Sequence, residues 1–139
     1  MYKRQVILGP LAGLVAITAG CNSMTSITSI FVGVIGAAVA IFVNELLNKY
    51  EIDDVVGAIP VHLAAGVWGT LAVGFFSNLE ILGTDLSRLE QIKVQFIGVV
   101  AIGFFAFLGS FAILKILNSF YPLRAVSYTH LTLPTSPKV

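Results

Sequence analysis

Thirty-nine consecutive residues, Val6 to Asn44, contain no Asp, Glu, Lys or Arg. Two more charge-free runs follow, 25 residues from Val55 to Leu79 and 21 from Val94 to Leu114. A helix that crosses the roughly 30 Å hydrocarbon core of a bilayer needs about 20 apolar residues. Within lipid each backbone polar group must be satisfied inside its own segment, which leaves helices as the spanning form for runs of this length. A soluble domain is excluded, because 57% of the residues are apolar and 11% charged, with a mean hydropathy of +0.94. The chain is therefore expected to be an all-α integral membrane protein with about four transmembrane helices, the first one truncated. Met1–Gln5 is basic, but the apolar stretch behind it runs on into further spans, unlike a cleavable signal. Cys21 is the one cysteine, so there is no disulfide framework and no thiol metal site.

Both ends look foreign to this pattern. Val126-Ser127-Tyr128-Thr129-His130-Leu131-Thr132-Leu133-Pro134-Thr135 resembles the translation of a transposon-type sequencing adaptor. Met1-Tyr2-Lys3-Arg4-Gln5 matches the reverse complement of the same adaptor, with GTG as start codon. Residues 1–5 and 125–139 are accordingly expected to be adaptor-derived, the latter without fixed structure, and 6–124 to be the native membrane segment. His130 then leaves the candidate ligands. Without Lys3, Arg4 and Lys138, five basic residues face seven acidic ones, a net charge of −2 rather than +1. No basic patch for nucleic acid remains.

The 39-residue run is too long for one helix and divides at Cys21-Asn22-Ser23-Met24-Thr25. Gly20 is suited to end a first span over about 6–20, and Ser23 or Thr25 to cap a second over about 26–47. Gly33, Gly36, Ala37, Ala38 and Ala40 give the second span the small-residue density that lets membrane helices approach closely. A polar connector, Asn48 to Asp54, precedes a third span over about 55–76, with Asp53 or Asp54 at its N-terminus as cap and dipole partner. Residues 77–91 read as an interfacial loop, with a short amphipathic helix over Gly83–Glu90. The fourth span covers about 92–120, and Lys93 and Lys115 lie roughly 33 Å apart along it, so that each snorkels to its own interface. Positive charge does not decide the orientation: Lys49, Lys115 and Arg124 fall on one side, Arg88 and Lys93 on the other.

His62 is the ionisable residue inside a native span. Near the middle of 52–76, it is expected near the bilayer midplane, where ionisable groups are costly and face a bundle interior or a polar path. At helical spacing Ala58, His62, Gly66, Gly69 and Val73 share a face, so the imidazole stands among residues with little or no side chain. Pro60 removes a backbone donor and is expected to kink the helix just before His62. A neutral imidazole donates one hydrogen bond and accepts one, which suits a small polar solute. The native spans supply no second His, Cys or carboxylate for a metal, and no nucleophile motif, phosphate loop or dinucleotide fingerprint. No catalytic residue and no cofactor are expected.

Asp53-Asp54-Val55-Val56-Gly57-Ala58-Ile59-Pro60-Val61-His62, followed by Gly66-Val67-Trp68-Gly69-Thr70, resembles the signature of the Amt/Mep/Rh ammonium transporters. Gly13 to Cys21 also resembles that family's eighth span, and the likeness covers 6–124 as spans eight to eleven of an eleven-span bundle. The resemblance implies a homotrimer in the plasma membrane, with one narrow apolar pore per subunit lined by two histidines, of which His62 matches the second. It implies ammonium or ammonia as substrate, Ala58 and Gly66 beside His62 on the pore wall, and Asp53, Asp54 and Gly69 in structural roles. It also implies a PII-type regulator at the cytoplasmic face. The span with the first histidine lies outside this chain, which is not expected to conduct alone.

Two alternatives stand beside this reading. A membrane enzyme needs a second catalytic group at depth, and the spans offer only hydroxyls such as Thr70 and Ser110. A structural subunit would use His62 as a helix-packing hydrogen bonder. Within the resemblance, a Rhesus-type gas channel is the runner-up.

Overall fold

The computed structural model describes residues 2–121, with side chains from Ile7 onward. The C-terminal segment 125–139 lies outside the described residues. The chain forms α1 (Tyr2–Thr18), α2 (Ser26–Lys49), a π-helical turn (Ile59–Ala64) that continues as α3 (Ala65–Phe76), α4 (Leu79–Leu82) and α5 (Arg88–Phe120). Among the described residues, three segments are long and apolar enough to cross a membrane: Ser26–Lys49, Ile59–Phe76 and Arg88–Phe120. The apolar part of α1, Ile7–Thr18, is shorter. Two compact units are distinguished, residues 1–101 and 102–139.

In the first unit α1 packs against α2 and against the π turn with α3. The core is built from small and branched residues: Leu8, Ala12, Ala16, Val32, Ala40, Val61, Ala65 and Ala72 are all buried. Glycines set the helix separation. A Cβ on Gly13 would stand 3.1 Å from the Gly33 carbonyl oxygen, one on Gly36 would strike the Ala16 Cβ, and one on Gly69 would strike the Ala16 carbonyl oxygen. Ala16 is thus held between glycines of two neighbouring helices. Such contact is how membrane helices gain packing energy where lipid tails offer no hydrophobic contrast.

Capping follows simple chemistry. Thr25, one of the two residues suited to cap α2, accepts the Thr28 N–H at 3.3 Å through its hydroxyl. Gly83 ends α4 with φ +65°, the left-handed region. The expected amphipathic helix over 83–90 is not formed. Residues 84–87 have no regular secondary structure, and Arg88–Glu90 open α5 instead. The reason is a capping box: the Ser87 N–H donates to Glu90 Oε2 at 2.8 Å, and the Glu90 N–H returns to Ser87 Oγ at 3.4 Å.

The loops at one end of the bundle are tied together. Ser23 Oγ donates to Ser77 Oγ at 2.9 Å, both residues buried, and the Asn78 N–H donates to the Ser23 carbonyl at 2.8 Å. Arg88 Nη1 donates to the Ser77 carbonyl at 2.7 Å and the Gly74 carbonyl at 3.3 Å. A cation on the last carbonyls of α3 completes orphaned acceptors and opposes the negative end of the helix dipole. In the second unit the helix continues to Phe120 with its side chains exposed. Phe107 stacks on Phe111, and the Lys115 ammonium stands 5.9 Å from the Phe111 ring centroid.

Candidate functional site

The site is assembled from the connector upward. After α2, residues 52–57 leave helical geometry, and Gly57 takes φ +73°. A Cβ there would be strained by that φ and would also lie 2.7 Å from Leu8 Cδ2, so glycine is required twice over. Asp54 then holds the new helix start. Its Oδ1 accepts the Ala58 N–H at 2.9 Å and its Oδ2 accepts the Ile59 N–H at 2.8 Å. A carboxylate on two orphaned N–H groups at the positive end of a helix is a charge-assisted cap. Of the two aspartates suited to this position, the bonds belong to Asp54. Asp53 is exposed.

Pro60 follows in the first turn, where its missing N–H costs little. The turn it opens is wide: the Ala65 N–H donates to the Pro60 carbonyl, an i→i+5 bond. His62 sits within this wide turn, flanked by buried Val61 and exposed Leu63. The expected kink before His62 is therefore realised as an extra residue in the turn. Single π turns inside α-helices occur frequently at functional sites.

Two expectations change as a result. His62 lies in the first turns of its helix, not in the middle of a span running from 52, because 52–57 are not helical. The single stripe through Ala58, His62, Gly66, Gly69 and Val73 is also divided. Ala58 and His62 are exposed, Gly66 is half-buried, and Gly69 and Val73 are buried. One extra residue in the turn rotates the rest of the helix by about one residue's worth, roughly 100° in an α-helix of 3.6 residues per turn. Uniform helical spacing assumes that no such residue is present.

The glycines of the stripe differ in kind. A Cβ on Gly66 would meet only Val15 Cγ1, at an ordinary 3.9 Å, whereas one on Gly69 would strike the backbone of Ala16. Gly69 is a packing position. Gly66 leaves open volume one helical turn from His62. No hydrogen bond to the His62 imidazole is made among the described residues, and no three His, Cys, Asp or Glu side chains gather there to hold a metal ion. Trp68, part of the same motif, donates its indole N–H to the Val32 carbonyl at 3.0 Å and fastens α3 to α2. That role was open to sequence reasoning, since a partly buried indole N–H seeks an acceptor.

The Asp54 cap gives a first prediction. Asp54→Ala removes the acceptor of two N–H groups, and the loss of a helix cap costs about 0.5–2 kcal/mol. The complete protein carrying this change should show a lower midpoint of thermal unfolding in detergent, with Asp53→Ala unchanged. Equal midpoints for the two variants would sink the assignment of the cap to Asp54.

These elements define an all-helical membrane protein whose third span opens on a wide, histidine-bearing turn. The profile of the Ammonium Transporter Family matches residues 4–133, a range that reaches into both flanks. The chain belongs to that family. A Synechocystis sp. protein provisionally named an ammonium transporter is 40% identical over 116 residues, covering 84% of this chain and 21% of its own length. The ammonium transporter of Bacillus subtilis is 35% identical over 125 residues, 86% of this chain and 31% of its own. Ammonium transporter Amt2 of Archaeoglobus fulgidus is 46% identical over 70 residues, 50% of this chain and 15% of its own. The chain thus spans less than a third of the length of these relatives.

Proposed function

We propose that the whole protein of which this chain is a part moves ammonium or ammonia across a membrane, along a path that His62 lines with Ala58 and Gly66. The observation that carries this reading is the exposed imidazole on the wide turn, beside a glycine that helix packing does not require. The family and its relatives' names support ammonium as the transported species. The chemistry agrees: a neutral imidazole offers one donor and one acceptor to a small solute. An apolar path penalises a potassium ion, which cannot shed its charge, whereas ammonium can leave a proton behind and pass as ammonia. A homotrimeric assembly, the plasma membrane as location and a PII-type regulator at the cytoplasmic face belong to the same reading and rest on the family resemblance.

The test is uptake. The complete transporter, expressed in cells lacking ammonium uptake, should accumulate labelled methylammonium in a manner blocked by ammonium and indifferent to equal potassium. Accumulation no greater than in the empty cells would overturn the proposal.

A further inference from the structure

Donors and acceptors do not come out even along the backbone of the wide turn. The Ala65 N–H donates to the Pro60 carbonyl and so passes over that of Val61. Regular pairing begins at Ala64, the N-cap of α3, whose carbonyl takes the first i→i+4 bond, from the Trp68 N–H. Between these points stand the carbonyls of Val61, His62 and Leu63, and only the N–H groups of Gly66 and Val67 to serve them. One carbonyl is therefore surplus, as an extra residue in a helical turn requires. No described side chain donates to it: Thr70 Oγ1, on the following turn, is bonded to the Gly66 carbonyl at 2.9 Å, and the Trp68 indole to that of Val32 at 3.0 Å. A backbone carbonyl kept from water without a donor is costly. This one belongs to a stretch where His62 and Leu63 are exposed, and the residue on the next turn is Gly66, with no side chain to cover it.

We propose that the surplus carbonyl faces the same path as the His62 imidazole and accepts an N–H of the passing ammonia or ammonium. The inference rests on the conduction path proposed above and adds a second polar group to it. The two groups are complementary. A neutral imidazole accepts at one nitrogen and donates at the other, whereas a carbonyl only accepts, so a solute with several N–H groups engages both at once. Potassium gains little, since replacing the hydration shell of that ion takes rings of carbonyls and not one.

The test occupies the carbonyl from within the protein. A serine hydroxyl can donate back to the carbonyl four residues earlier, as the Thr70 hydroxyl does to Gly66. Gly66→Ser places such a hydroxyl one turn after His62, where a Cβ meets only Val15 Cγ1 at 3.9 Å. Gly66→Ala adds nearly the same bulk without the donor. In the complete transporter, labelled methylammonium uptake per molecule is expected about tenfold lower for Gly66→Ser than for Gly66→Ala, the effect of one lost hydrogen bond, at comparable unfolding midpoints. Deletion of Leu63 removes the extra residue, lets the turn close as regular α-helix and pairs every carbonyl. That protein should keep or raise its midpoint and lose uptake to a similar degree. Equal uptake by Gly66→Ser and Gly66→Ala overturns the inference, as does full uptake by a folded protein lacking Leu63. His62→Ala in the same assay separates the two readings: if it is impaired, the carbonyl alone fails, and if it is not, the path fails with it.

Discussion

Alanine at Gly69 is expected to lower the stability of the complete transporter by about 3 kcal/mol, the upper end of the cost of overpacking a well-packed core. The three atoms nearest to the new Cβ are the carbonyl oxygen, carbonyl carbon and Cα of Ala16, all backbone. No rotamer change relieves a clash with backbone, so α1 and α3 must separate. Separation is costly because Ala16 is also seated against Gly36 of α2, and Trp68, one residue before Gly69, is hydrogen-bonded to Val32 on α2. Gly66→Ala is the matched control. It adds a methyl group that meets only Val15 at 3.9 Å, and alanine is about 1 kcal/mol better than glycine in a helix interior. Thermal unfolding in detergent should therefore show a large loss for Gly69→Ala and none for Gly66→Ala. Similar midpoints for the two would show that the α1–α3 approach is not what Gly69 serves.

That contrast marks the boundary of what was legible in the residues. The spans were legible because charge is excluded from lipid: Val55 to Leu79 is free of it, and the helix ending at Phe76 falls inside that run. Thr25 as a cap was legible, since a hydroxyl before an apolar run has one common use. Helical spacing alone puts Gly66 and Gly69 on one stripe; the family resemblance separates them, and the position of α1 gives the physical reason for Gly69. The wide turn was half legible. Pro60 announces a departure from regular helix, but whether it ends, bends or widens the turn depends on Asp54, Gly57 and Leu8 acting together. The loop before α5 was misread although its signal was present: Ser87-Arg88-Leu89-Glu90 is a capping-box sequence, which places a helix start at 88 and excludes one at 83. Arg88 as the cap of α3 had no local signal, since the carbonyls it satisfies lie 11 and 14 residues away.

His62→Ala is expected to slow uptake by the complete transporter by roughly 5- to 150-fold, without a matching loss of protein or of thermal stability. The range corresponds to leaving a desolvated polar solute without one hydrogen-bond partner, a cost of about 1–3 kcal/mol at the barrier. Stability should be little affected, because His62 is exposed and its ring makes no hydrogen bond among the described residues, whereas its neighbours Pro60 and Val61 are buried. Selectivity should fall in the same variant. Removing the imidazole beside Gly66 enlarges the path, and a path that admits water no longer penalises an unstripped potassium ion. His62→Gln restores one donor and one acceptor at similar length and should recover part of the rate. A structural role predicts the opposite pattern, with reduced protein and a lower unfolding midpoint but normal uptake per molecule. Labelled methylammonium uptake, normalised to the amount of transporter in the membrane and repeated with excess potassium, separates the two. Unchanged uptake and unchanged potassium discrimination in His62→Ala would remove His62 from the conduction path.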